Sequence, residues 1–141
     1  MSSGIIVGYD GSDCAKAALR TALEVGRAYG ERVTIAFGYE VNPMAGEVKD
    51  YADALKELAH KRVEEAGEIA AASDGQVDGV VIEESPARAL VDLANERDAR
   101  LIVVGTHGES PLKGALIGST PHKLLQLSDR PVLVVPHPRD E

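Results

Sequence analysis

The chain has 141 residues, 44% of them apolar and 27% charged, with a formal net charge of −8. This size predicts one domain, residues 1–141, able to bury a proper core. The acidic balance argues against a general DNA- or RNA-binding surface, which relies on an excess of Lys and Arg. Four tyrosines, one phenylalanine and no tryptophan give no stacking platform for single strands. Cys14 is the lone cysteine, so no internal disulfide framework is possible, and a reducing, cytoplasmic setting is expected. The short apolar run Ile5 to Val7 soon meets Asp10, which predicts no signal peptide, and no apolar stretch approaches the length of a membrane span.

Ile5 to Tyr9 reads as a short strand ending at the turn cluster Asp10-Gly11-Ser12. From Asp13 to Tyr29 the apolar residues Ala15, Ala18, Leu19, Ala22 and Val25 recur at helical spacing, and Gly30 closes the helix. Val33 to Tyr39 is a second strand, with Gly38 near its carboxyl end. Val48 to Ala72 is a long helix whose outer face carries mixed charge, including Glu57 and Lys61 at i,i+4. Val77 to Glu83 is strand-like, and Ser85-Pro86 opens a helix with Ser at the cap and Pro at the first position.

Leu101 to Thr120 (LIVVGTHGESPLKGALIGST) is a strand, a loop of small residues and then a helix start. The helix it opens is expected to run to about Ser128, and Pro131 to Pro136 is a final strand. Strands alternating with helices predict an α/β fold, a single doubly wound domain with a five-stranded parallel sheet and helices on both faces. Ligands of such sheets bind outside the carboxyl ends of the strands, where the strand order reverses. Asp10, Gly38 and the loop after Gly105 all fall at those ends. Free backbone N–H groups and a helix macrodipole converge at the last of these, which is how a chain of negative charge holds an anion, here the phosphates of a nucleotide.

The spacing Gly105-x2-Gly108-x9-Gly118-Ser119 after an apolar strand resembles the nucleotide-binding members of the universal stress protein family. Val7-Gly8-Tyr9-Asp10-Gly11-Ser12 and Pro131-Val132-Leu133-Val134-Val135 look like that family's first and last strands, so the resemblance covers essentially the whole chain. It implies a dimeric ATP-binding stress or signalling protein, with Mg²⁺ accompanying the nucleotide. Tyr9, Gly38 and Val104 then lie around the base, and Asp10 near the ribose and the metal-bound phosphates. Gly105, Gly108, Gly118, Ser119 and Thr120 lie around the phosphates, with Lys113 within reach of the terminal one. Gly38 departs from the bulkier apolar residue common at its position, and Tyr9 or Tyr39 is a candidate to fill the space. The resemblance also implies a homodimer through Val132, Leu133, Val134 and Val135, since such an uncharged edge strand needs covering.

Read on their own, these residues keep second meanings. Gly105 and Gly108 can admit a phosphate oxygen and take φ > 0, or serve a plain turn. Asp10 can cap the first helix, Thr120 can cap the last one ahead of Pro121, and Lys113 can be a solvated loop lysine. Pro121 removes one N–H from the helix start. Cys14 is either a thiol under the helix dipole or a plain buried one. His107 is the only proton-transfer candidate in the loop, with no Ser/His/Asp order or acid–base carboxylate pair beside it. Phosphoryl transfer is therefore expected to be absent or at most weak ATP hydrolysis. Cyclic AMP or AMP would share the base and ribose contacts with ATP. A module with the same fold and an empty cleft is the non-nucleotide alternative.

Overall fold

Strand and helix alternate along the chain as β1 (Ile5–Gly8), α1 (Asp13–Tyr29), β2 (Val33–Tyr39), α2 (Val48–Ala72), β3 (Val77–Glu83), α3 (Pro86–Arg97), β4 (Leu101–Gly105), α4 (Ser119–Leu127) and β5 (Val132–Val135). The computed structural model describes residues 4–40, 48–72, 77–107 and 117–137. The predicted elements match in order and type. The first and last strands are shorter than expected, because Tyr9, Pro131 and Pro136 fall outside the ladder. Tyr9 still donates its N–H to the Ala36 carbonyl at 3.1 Å, one step beyond the strand. Prolines 131 and 136 bring no N–H, so they bound β5.

All pairings are parallel, in the order β3-β2-β1-β4-β5. Parallel neighbours require crossovers, and alternating side chains along each strand sort the core into two layers. Ile5 and Val7 of β1, with Val33, Ile35 and Val103, pack under α1 and α2. Ile6, Ala36, Ile102 and Val104 point the other way, under α3 and Leu124 of α4. The chain thus leaves β1 toward one face and β4 toward the other, and the order reverses between these two neighbours.

The helix ends are made as their residues suggest. Ser12 accepts from the Ala15 N–H at 3.1 Å, and Gly30 ends α1 in the left-handed region at φ 67°. Asp98 ends α3 at φ 52°, the one non-glycine with positive φ among the described residues. Its short side chain tolerates that conformation, and its carboxylate accepts from Arg130 Nη1 at 2.9 Å. Arg130 also donates to the Ala99 carbonyl at 2.7 Å, tying the start of β5 to the end of α3.

Thr34, buried on β2, faces Asp78 directly across the ladder. Its hydroxyl donates to Asp78 Oδ1 at 2.8 Å, while Arg97 Nη1 donates to Thr34 at 2.7 Å and to Asp78 Oδ2 at 2.8 Å. Burial works against the Asp78 charge, but Arg97, Thr34 and Arg32 outweigh it and hold the pKa below the usual aspartate range. A depressed folded-state pKa stabilises the fold above the unfolded value, and that stability is lost as pH falls through the folded value. Asp78→Ala should therefore cost about 1 kcal/mol at pH 7, a charged hydrogen bond discounted for partial exposure. Urea unfolding at pH 7 and pH 3 should show the difference from the parent shrinking at the lower pH.

Candidate functional site

The carboxyl ends of β1, β2 and β4 surround a cleft that opens to solvent, with a cavity volume of about 100 Å³. Tyr9, Asp10, Gly38, Val104, Gly105 and Thr120 all line it, so three distant chain segments meet as the topology predicts. Gly118 and Ser119 adjoin Thr120 at the start of α4. Gly108 and Lys113 lie outside the described residues, as does Pro111. Sequence reasoning did not single out Ala36, Pro86 or Leu90, which supply much of the apolar wall. Leu90 lies on the buried face of α3. The signal that would have found it is Gly8, where an added Cβ would stand 2.9 Å from Leu90 Cδ1.

Two glycine assignments change. Gly105 does not use positive φ, which among the described glycines is found at Gly4, Gly11 and Gly30. A Cβ at Gly105 would instead stand 2.6 Å from Cys14 Cβ and 2.7 Å from its carbonyl carbon. Its smallness is demanded by the first turn of α1, which presses onto the end of β4. At Gly118, φ is −74° and the N–H is spent on the Thr106 carbonyl at 2.6 Å, so it is no phosphate donor. Gly118, not Thr120, is the cap of α4, and the first intrahelical bond runs from the His122 N–H to its carbonyl at 3.2 Å. With Pro121 carrying no N–H, helix geometry leaves the amides of Ser119 and Thr120 for a ligand, together with their hydroxyls.

Gly38 also has a steric reason. A Cβ there would stand 2.9 Å from both Ala89 Cβ and Pro86 Cα, so α3 approaches β2 too closely for a bulkier residue. Tyr9 does not turn into that space. Its side chain is buried in the layer under α1 and α2, and its hydroxyl donates to Glu65 Oε1 on α2 at 2.5 Å. Burial first, then the Glu65 hydrogen bond and charge, push the Tyr9 phenol well above its usual pKa. Glu65 is held below the usual range, chiefly by that hydroxyl and further by Arg62 and Lys16. Tyr9 is thus an uncharged anchor, with no part in proton transfer.

Asp10 Oδ1 accepts from the Ser12 N–H at 2.9 Å, and Ser12 itself is the cap of α1. Asp10 therefore shapes the turn and does not cap the helix directly. Cys14 is buried, with Sγ 3.7 Å from Thr106 Oγ1, as the plain-thiol reading has it. His107 lines the cavity. Among the described residues no cluster of His, Cys, Asp or Glu could hold a metal ion, and no helix is long and apolar enough to cross a membrane.

The tight contact at Gly105 sets an expected outcome. Gly105→Ala should destabilise by about 1–3 kcal/mol through overpacking against the α1 backbone. Gly67→Ala, inside α2 with nothing near its Cβ position, should instead stabilise by about 0.5–1 kcal/mol. Urea denaturation of both variants checks the opposed signs.

Comparison with known proteins agrees with this architecture. The sequence profile of the universal stress protein family matches residues 1–136. The chain is similar to universal stress protein MJ0531 of Methanocaldococcus jannaschii, 27% identical over 97% of this chain and 84% of that protein. It is similar also to universal stress protein YxiE of Bacillus subtilis, 31% identical over 96% of this chain and 99% of that one. Among solved structures, a universal stress protein in complex with cAMP superposes with a TM-score of 0.75 at 30% identity, covering 96% of this chain and 97% of that one. On its sequence, its strand order and its cavity, the chain belongs to the universal stress protein family.

Proposed function

We propose that this protein binds an adenine nucleotide at the carboxyl ends of β1, β2 and β4 and acts as a dimeric, cytoplasmic stress-response or signalling protein of one domain. The observation that carries the reading is the division of the cavity. Ala36, Pro86, Leu90 and Val104 form an apolar wall suited to a flat base, while Thr120 and the start of α4 bring amides, hydroxyls and a helix dipole. Asp10 borders the same space. One of its oxygens is engaged by Ser12, and the other is left for a ribose hydroxyl or for Mg²⁺. A single carboxylate suits Mg²⁺ that arrives with a polyphosphate, since that ion keeps waters and shares ligands with phosphate. ATP with Mg²⁺ is the first reading of the ligand.

A second reading, cyclic AMP or AMP, has specific support. Gly118 spends its N–H on Thr106 and Pro121 has none, which leaves a donor set at α4 suited to one phosphate group. The 30% identical structure is described as a complex with cAMP. Turnover is expected to be slow or absent, because His107 and Asp10 are the only described groups of acid–base character lining the cavity. The dimer rests on β5, which pairs with β4 on one side and has its other edge unpaired among the described residues. Leu133 is 37% exposed there, whereas Val134 packs on the α3 layer, so Leu133 is the cleaner probe of association.

Calorimetric titration with ATP, ADP, AMP and cyclic AMP tests the ligand, and absence of binding by all four overturns the reading. Gly118→Val should abolish binding, because a Cβ at that position already lies 3.1 Å from the Thr106 carbonyl oxygen and branching adds more. Leu133→Lys should halve the molecular mass seen by light scattering and leave nucleotide binding intact.

A further inference from the structure

We infer that Arg62 and Glu65 of α2 are positioning residues of the nucleotide site, holding Asp10 in place through the residues on either side of it. The inference rests on the nucleotide reading above. Asp10 is flanked by Tyr9 and Gly11, and both touch the same short stretch of α2. On one side the Tyr9 hydroxyl donates to Glu65 Oε1 at 2.5 Å. On the other, a Cβ at Gly11 would stand 2.8 Å from Arg62 Cζ and Nε and 2.9 Å from Nη1, so the guanidinium lies directly against the glycine. Arg62 Nη1 donates in turn to Glu65 Oε2 at 3.3 Å, which closes the cluster.

Gly11 is doubly constrained, since its φ of +89° lies in the region that favours glycine. The turn it makes carries the Asp10–Ser12 hydrogen bond and leads straight into the cap of α1. A helix outside the cavity thereby sets the direction of the one carboxylate bordering it among the described residues. Arg62 is suited to this by shape: a planar guanidinium stacks on a backbone where an ammonium on a flexible stem does not. Arg62 and Glu65 are about a quarter and a third exposed, so the cluster is partly sheltered from solvent.

The test measures ATP and cyclic AMP binding to the parent, Arg62→Ala, Arg62→Lys, Asp10→Ala and the Asp10→Ala/Arg62→Ala double variant, with thermal melts of each. Arg62→Ala should weaken binding roughly fivefold to tenfold, a coupling of ordinary size for neighbouring groups. Arg62→Lys should fail to restore it, and the double variant should bind no more weakly than Asp10→Ala alone. Hydrogen exchange at the Ser12 amide should quicken in ligand-free Arg62→Ala while the amides of Ile6 and Val7 stay protected. Binding by Arg62→Ala at the parent level overturns the inference, as do losses that multiply in the double variant, which would make Arg62 independent of Asp10. A parent that binds neither of these, nor ADP or AMP in the titration above, overturns the proposed function and this role with it. A parent that binds, with Arg62→Ala unaffected, overturns this role alone.

Discussion

The carboxyl edge of the sheet is built on close approach between helices and strand ends, and glycine makes each approach possible. Leu90 of α3 lies over Gly8, Pro86 and Ala89 of α3 over Gly38, and Cys14 of α1 over Gly105. Each glycine ends or nearly ends its strand, and a helix from elsewhere in the chain comes within about 3 Å of where its side chain would begin. Interiors at crystal-like density do not absorb an added methyl at such points. The cavity is the space left between these clamped ends, closed by helix backbone at Gly38 and Gly105 and by the Leu90 side chain at Gly8.

From this follows the chemistry available there. The protein carries a net charge of −8, so a phosphate is not drawn in by the general field of the molecule. What remains is local: the opening amides of α4, its dipole, and hydroxyls at Ser119 and Thr120. Thr106 organises this corner from the strand side. Its N–H reaches the Val135 carbonyl at 3.0 Å, and its own carbonyl receives Gly118 at 2.6 Å. The end of β5 is thereby bonded to the same residue that fixes the entrance of α4. The edge strand β5 and the start of α4 are thus two hydrogen bonds apart.

The order and type of elements were legible because period and punctuation agree at every step. Ser12 and Gly30 bound α1 as cap residues should, and Pro86 opens α3. The location of the cavity was legible too, because a doubly wound sheet has one reversal of strand order. The reasons behind individual glycines were not. Gly105 and Gly118 read in the sequence as phosphate contacts, and the structure adds that one makes room for Cys14 and the other gives its N–H to Thr106. A spacing records that small residues are needed; it does not record which neighbour forbids the larger ones. Tyr9 shows the same limit, since nothing local to it announces that Glu65, 56 residues away, takes its hydroxyl.

The two faces of the sheet consequently serve the cavity in different ways. On the α3 and α4 face the helices contribute wall and donors directly, through Leu90, Pro86 and Thr120. On the α1 and α2 face the contribution is made through the turn after β1, where Ser12 caps α1 and Tyr9 and Gly11 meet α2. A change in α3 therefore alters the cavity wall, whereas a change in α2 reaches the turn that carries Asp10 and leaves the apolar wall as it was. In the proposed reading, the apolar wall for a base and the α4 donors for a phosphate lie on one layer, and Asp10 is set from the other. That separation lets either be adjusted by substitution in its own layer, without repacking the other.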